Sequence, residues 1–115
     1  MSATDLIHRH LAAFNAADAD ALMADFDSDA TWVTGDYEVP PGTLREFFAT
    51  AMAGLTPHLQ LRRIIDGGAV VAAELTETWT SSEQDKTAAL IAVFDLDDQG
   101  LITRAKIYRE GSADA

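Results

Sequence analysis

The chain has 115 residues, 48% of them hydrophobic and 23% charged, an ordinary globular balance that suits one domain rather than two. Nineteen acids stand against eight Lys plus Arg, for a formal net charge of −11, and such a surface repels phosphate backbones and anionic headgroups, which argues against nucleic-acid or membrane binding. Cysteine is absent, so disulfides, thiolate nucleophiles and Cys-based zinc sites are excluded.

The opening MSATDLIHRH lacks the basic-then-apolar build of a secretory leader. No run approaches the roughly 20 apolar residues of a membrane span, so a cytoplasmic location is expected. Helix one is predicted from about Asp5 to Ala17. Ile7, His10, Leu11 and Phe14 recur at i, i+3, i+4 and i+7 and make one inward stripe, with Leu6 alongside. Thr4 or Asp5 is placed to cap its start. Helix two is predicted from Asp18, a good N-cap, with Leu22, Met23 and Phe26 inward.

A first strand, Ala30 to Thr34, is rich in β-branched and aromatic residues. Gly35, Pro40, Pro41 and Gly42 mark a loop, with room for a short strand at Tyr37 to Val39. Thr43 and Glu46 form a capping box for helix three. Its buried face is Leu44, Phe47, Phe48, Ala51 and Leu55, and Gly54 with Pro57 stops it.

Four strands complete the chain, at about His58 to Ile65, Ala69 to Thr80, Thr87 to Leu96 and Leu101 to Glu110. Asp66-Gly67-Gly68 and Asp97-Asp98-Gln99-Gly100 are turn signals, and Ser81 to Lys86 reads as a polar loop. Connections this short require antiparallel neighbours. The expected fold is α+β, a single domain over residues 1–115, ordered α-α-β-α-β-β-β-β, with three helices on one face of a mainly antiparallel sheet.

Several segments together carry a resemblance. Ala13-Phe14-Asn15-Ala16-Ala17-Asp18-Ala19-Asp20-Ala21-Leu22, Asp29-Ala30-Thr31-Trp32, the Gly-containing loop before helix three, and Asp98-Gln99-Gly100-Leu101-Ile102-Thr103-Arg104-Ala105-Lys106-Ile107-Tyr108 resemble the SnoaL-like and ketosteroid-isomerase-like branch of the NTF2-like superfamily. The resemblance implies a cone: a strongly bent sheet closed by helices, with a pocket at the wide end and pairing of two copies through the outer sheet face. The branch includes isomerases, cyclases, dehydratases, epoxide hydrolases and non-catalytic binders, so fold alone does not give the reaction. Under the steroid-isomerase pattern the donor tyrosine falls on His10, the base on Thr34 and the acid donor on Ala92. Threonine does not abstract a carbon-bound proton and alanine donates nothing, so that mechanism is not supported.

His10 interrupts the apolar stripe of helix one. It is either a core histidine bonded to a backbone carbonyl or a buried acid, or a pocket acid/base whose ordinary pKa near 6.5 suits proton transfer. In the second long strand Val71, Ala73, Leu75, Glu77 and Trp79 share the face taken as inner. Glu77 there is either a partly exposed acid beyond the covered region or a desolvated one whose pKa rises unless it is paired. Ala105, Ile107 and Arg109 share a face of the last strand. Arg109 is either a surface residue or one that reaches the cavity mouth to meet Glu77 or an anionic ligand. Phe14, Trp32, Phe26, Phe47 and Trp79 serve as core and, in a cone, as pocket wall.

No HExxH, Walker loop, dinucleotide glycine loop or GxSxG occurs, and His8, His10 and His58 are too scattered for a ligand set. No metal and no cofactor are expected. The reading is a cofactor-free enzyme or binder for a hydrophobic small molecule, polyketide-like or a cyclic carbonyl compound. His10 and Glu77 move protons, Phe14, Trp32, Thr34, Phe47 and Trp79 shape the pocket, and Arg109 orients a polar group. The alternative, favoured by the missing family base, is a non-catalytic dimeric domain that binds a ligand or a partner protein. A homodimer is expected through Glu74, Thr76, Lys106 and Tyr108, because three helices cover only one sheet face.

Overall fold

Helix α1 (Ala3–Asn15) begins ahead of the predicted start because its cap is Ser2 and not Thr4 or Asp5. A computed structural model, which describes residues 2–54 and 57–110, shows the two halves of that cap. The Ser2 hydroxyl accepts from the Asp5 N–H at 3.1 Å, and the Asp5 carboxylate accepts from the Ser2 N–H at 3.2 Å. The apolar stripe marks only the covered part of a helix, so the exposed first turn escaped it. Helix α2 (Ala19–Met23) starts after Asp18, whose carboxylate accepts from the Ala21 N–H at 3.0 Å. It ends sooner than predicted: Phe26 opens strand β1 (Phe26–Thr34) and is buried from the sheet.

Strand β2 (Tyr37–Glu38) pairs antiparallel with β1. Helix α3 (Leu44–Gly54) buries Leu44, Phe48 and Met52, while Phe47 and Ala51 are half-buried. The Thr43 hydroxyl donates to the Pro40 carbonyl at 2.7 Å. Leu55, predicted on the buried face, lies outside the described residues.

Strands β3 (His58–Asp66), β4 (Val70–Ser81), β5 (Gln84–Leu96) and β6 (Ile102–Arg109) follow, and the curved, unclosed sheet runs β2-β1-β6-β5-β4-β3. Every neighbouring pair is antiparallel except β1–β6, which is parallel. The polar loop predicted over Ser81 to Lys86 is instead a tight hairpin. Ser81 pairs with Gln84, leaving Ser82 and Glu83 as the turn with φ of 53° and 63°. Positive φ at both central positions is the pattern of a type I′ turn, whose usual Asn-Gly signal this sequence lacks.

Alternation along β4 and β6 sorts the faces. Val71, Ala73 and Leu75, with Ala105 and Ile107, are buried against the helices; Val70 and Tyr108 are exposed on the other side. Two polar clamps hold the helices to the sheet. Buried Asp25 accepts from Arg9 Nε at 2.7 Å, and its backbone carbonyl accepts from the Ile102 N–H at 2.9 Å. Near the end of α1 the Asn15 amide pairs with both backbone groups of Leu59, at 2.9 and 2.8 Å. That clamp fixes the start of β3 beside Glu77, the register partner of Leu59. Among the described residues no helix is long and apolar enough to cross a membrane.

Candidate functional site

Between the helices and the inner sheet face lies a cavity of about 210 Å³. Its wall includes His10 and Phe14 from α1, Trp32 and Thr34 from β1, Phe47 from α3, Glu77 and Trp79 from β4, and Arg109 from β6, whereas Phe26, also expected as pocket wall, is buried in the core and does not line it. Leu75, Leu90, Ala92, Phe94 and Ile107 add apolar surface, so most of the wall is hydrocarbon.

Strand register sets the depth at which each side chain enters. Trp32 is paired with Ala105, and Ala105 with Phe94. One step along the strands, Thr34 lies abreast of Ile107 and Ala92; one step further, Arg109 lies abreast of Leu90. Successive same-face residues are about 6.6 Å apart, so the Trp32 row and the Arg109 row are separated by about 13 Å of strand. His10 belongs to the Trp32 end. Its ring centroid is 5.2 Å from Phe94, 5.9 Å from Phe26 and 6.2 Å from Trp32.

That packing bears on the two alternatives left open at His10. The residue is 2% exposed and its Nδ1 has no hydrogen-bond partner among the described residues. Neither the carbonyl nor the acid partner envisaged for a core histidine is present at that nitrogen. Burial pushes its pKa down from 6.5 to about 4, because desolvation disfavours the charged imidazolium. The ring is therefore neutral at pH 7, with its pKa well below the ordinary value near 6.5.

Glu77 and Arg109 meet at the other end. Arg109 Nη2 donates to Glu77 Oε1 at 2.6 Å, with the side chains 11% and 14% exposed. The guanidinium carbon also stands 5.7 Å from the centre of the Trp79 ring, a cation–π contact. The face parity of β4 and β6 brought both residues inward. His10 and Glu77 thus share a cavity and not a hydrogen bond. Arg109 Nε and Trp32 Nε1 lack hydrogen-bond partners among the described residues, as His10 Nδ1 does. Buried nitrogens are nearly always satisfied, and here three without partners belong to residues of one cavity wall.

The sequence pattern did not single out the Asn15–Leu59 or Arg9–Asp25 clamps, nor Pro57 as a cavity residue. Hydrogen bonds between distant segments leave no periodic trace. Ala92, which the resemblance put at the acid-donor position, lines the cavity. His8 and His58 are exposed. Among the described residues no three His, Asp or Glu side chains are grouped to hold a metal ion.

Comparison with known proteins bears on this cavity. The SnoaL-like domain family matches residues 7–105. No curated protein sequence matches the chain. A candidate polyketide cyclase from Xanthomonas campestris pv. campestris is similar at 26% identity and a TM-score of 0.75, covering 92% of this chain and 88% of its own. A second candidate polyketide cyclase, from Silicibacter sp., is similar at 25% identity and a TM-score of 0.77, covering 95% and 89%. SalBIII, an epoxide hydrolase/cyclase-like enzyme of pyran ring formation in the polyether salinomycin, has a TM-score of 0.84 at 19% identity, covering 94% and 90%. At that identity the likeness concerns the fold.

Proposed function

The chain belongs to the SnoaL-like domain family of the NTF2-like superfamily, and we propose that its cavity binds a compact, largely apolar carbonyl compound and moves protons on it without a cofactor. The observation that carries this reading is the Glu77–Arg109 pair, almost wholly buried in the wall of an otherwise apolar cavity. A buried ion pair stabilises a fold little more than apolar residues of the same size would. Its place beside a space open to a small molecule supports a chemical role.

On this reading the ligand lies lengthwise. A carbonyl oxygen near Arg109 accepts hydrogen bonds from the guanidinium, which acidifies the hydrogens on the adjacent carbon. The Glu77 carboxylate takes one of them, and the enolate oxygen that forms is stabilised by Arg109. His10, neutral, hydrogen-bonds a second oxygen at the far end and fixes the orientation, as an uncharged imidazole can. Phe14, Trp32, Phe47 and Trp79 hold the skeleton, with Thr34 between the two polar ends. The two candidate polyketide cyclases lend support to a polyketide-like ligand.

The test is proton exchange. A panel of bicyclic ketones such as 2-decalone is incubated with the protein in D₂O, and loss of the α-hydrogens is followed by NMR. Exchange should exceed the buffer rate, and Glu77→Gln should lower it by about a hundredfold or more. Binding without exchange establishes the second reading, a binder that does not turn over, favoured by Thr34 and Ala92 at the positions of the steroid-isomerase base and acid. No binding at all defeats both. A homodimer through the outer sheet face is part of the proposal. Ile65, Val70, Ile91 and Tyr108 are exposed, and strand alternation puts them on that face.

A further inference from the structure

On α3 the core-facing stripe is Leu44, Phe48 and Met52, spaced four residues apart. Phe47 and Ala51 form a second stripe, turned by about 100° from the first, and both are half-buried. These two residues border two spaces at once. On one side is the internal cavity; on the other is a surface groove lined with Tyr37, Val39, Pro40 and Glu46. The wall between them is one side chain thick. The Phe47 ring is braced edge-on by Phe48 at 5.5 Å and stacked on Tyr37 at 6.0 Å with 23° between the planes. The Tyr37 side of that brace is the weaker. Tyr37 is 51% exposed and belongs to the two-residue edge strand β2.

We propose that Phe47 sets the upper size limit of the ligand, by closing the cavity against the groove. The inference rests on the reading of the cavity as a ligand site. At about 210 Å³ the cavity falls short of the roughly 300–1,000 Å³ of typical ligand sites, so a compact head fills it and further carbons meet Phe47. Beyond Phe47 the groove offers Val39, Pro40 and the Tyr37 ring, so an apolar tail released into it stays on apolar surface. Rotation of Phe47 toward Tyr37, or its truncation, joins the two spaces into one longer site.

The experiment is a chain-length series of 4-alkylcyclohexanones, methyl to octyl, titrated into the full chain. The two tryptophans of the sequence, Trp32 and Trp79, both line the cavity, so their fluorescence reports binding. In the natural protein each added methylene should tighten binding about fourfold until the tail reaches Phe47, after which the gain stops. Phe47→Ala should move that break outward by at least two carbons, and Phe47→Leu, which keeps more of the packing, should move it less. An unmoved break, or a uniform weakening at every length, overturns the role of Phe47 while leaving the ligand site standing. Failure of every member to bind the natural protein overturns both.

Discussion

Replacing His10 with leucine tests the electrostatics of the cavity floor directly. Burial holds the folded-state pKa near 4 against an ordinary 6.5. As pH falls through 6.5 the unfolded chain takes up a proton that the folded chain refuses, so stability is lost on the acid side. The loss grows until the pH reaches the folded pKa and is constant below it. At pH 5 the two pKa values give about 2 kcal/mol, and the limiting value at lower pH is about 3 kcal/mol. The loss vanishes above about pH 7.5, where both states are neutral. Urea denaturation of the natural protein and of His10→Leu, followed by tryptophan fluorescence at pH 8, 6.5 and 5, isolates the term. Carboxylates elsewhere titrate in both proteins and cancel in the difference. The variant should be at least as stable at pH 8, since it also removes a buried nitrogen with no partner, and its advantage should grow by about 2 kcal/mol on going to pH 5. A difference that stays constant with pH would falsify the claim that the ring is desolvated and neutral.

The hairpin at Ser82-Glu83 holds two non-glycine residues at positive φ, so Ser82→Asn with Glu83→Gly should relieve about 1 kcal/mol and raise Tm by about 4 °C. Calorimetry showing no gain would mean that the turn is not of this kind. For assembly, sedimentation equilibrium at micromolar concentration should report a dimer, and the double change Ile91→Glu with Tyr108→Glu on the exposed sheet face should give a monomer with the same circular dichroism. A natural protein that is monomeric under those conditions removes the dimer from the proposal.

Strands β3 to β6 were legible to within a few residues because a half-buried pleat forces alternation, and the alternation of Val71, Ala73, Leu75 and Trp79 survives a single polar interruption. The same parity put Glu77 and Arg109 on the inner face. Other features were not legible, for separate reasons. The Ser2 cap lies outside the apolar stripe. Phe26 lies just before a register shift in β1, where neither helical nor strand period is clean. The Ser-Glu turn carries none of the residues that normally announce positive φ. The parallel β1–β6 pairing joins segments about 75 residues apart, and no local pattern encodes such a partner. That pairing also decides the site: it places the His10–Trp32 row and the Arg109 row at opposite ends of the cavity. Sequence periodicity found the polar interruptions, but their separation in depth depends on long-range register.

The charge state of the wall bears on which ligands fit the proposed chemistry. Arg109 is cancelled by Glu77 at 2.6 Å, and His10 is held neutral, so the cavity carries no net charge before a ligand enters. Around it lies a chain of net charge −11, whose field disfavours the approach of anions. A carboxylate ligand would have to enter against that field and compete with Glu77 for a guanidinium already engaged. A neutral ketone is not opposed by that field, and its oxygen can accept from Arg109 Nε, which has no partner among the described residues, without displacing Glu77 from Nη2. On the proposed reading its negative charge appears only as Glu77 removes the proton. At that moment Glu77 becomes neutral and Arg109, still in place, is freed to stabilise the enolate oxygen. The ion pair therefore interacts weakly with the ground state and strongly with the developing anion, which is the difference that lowers a barrier. In this arrangement the arginine is held ready by the very carboxylate whose protonation releases it.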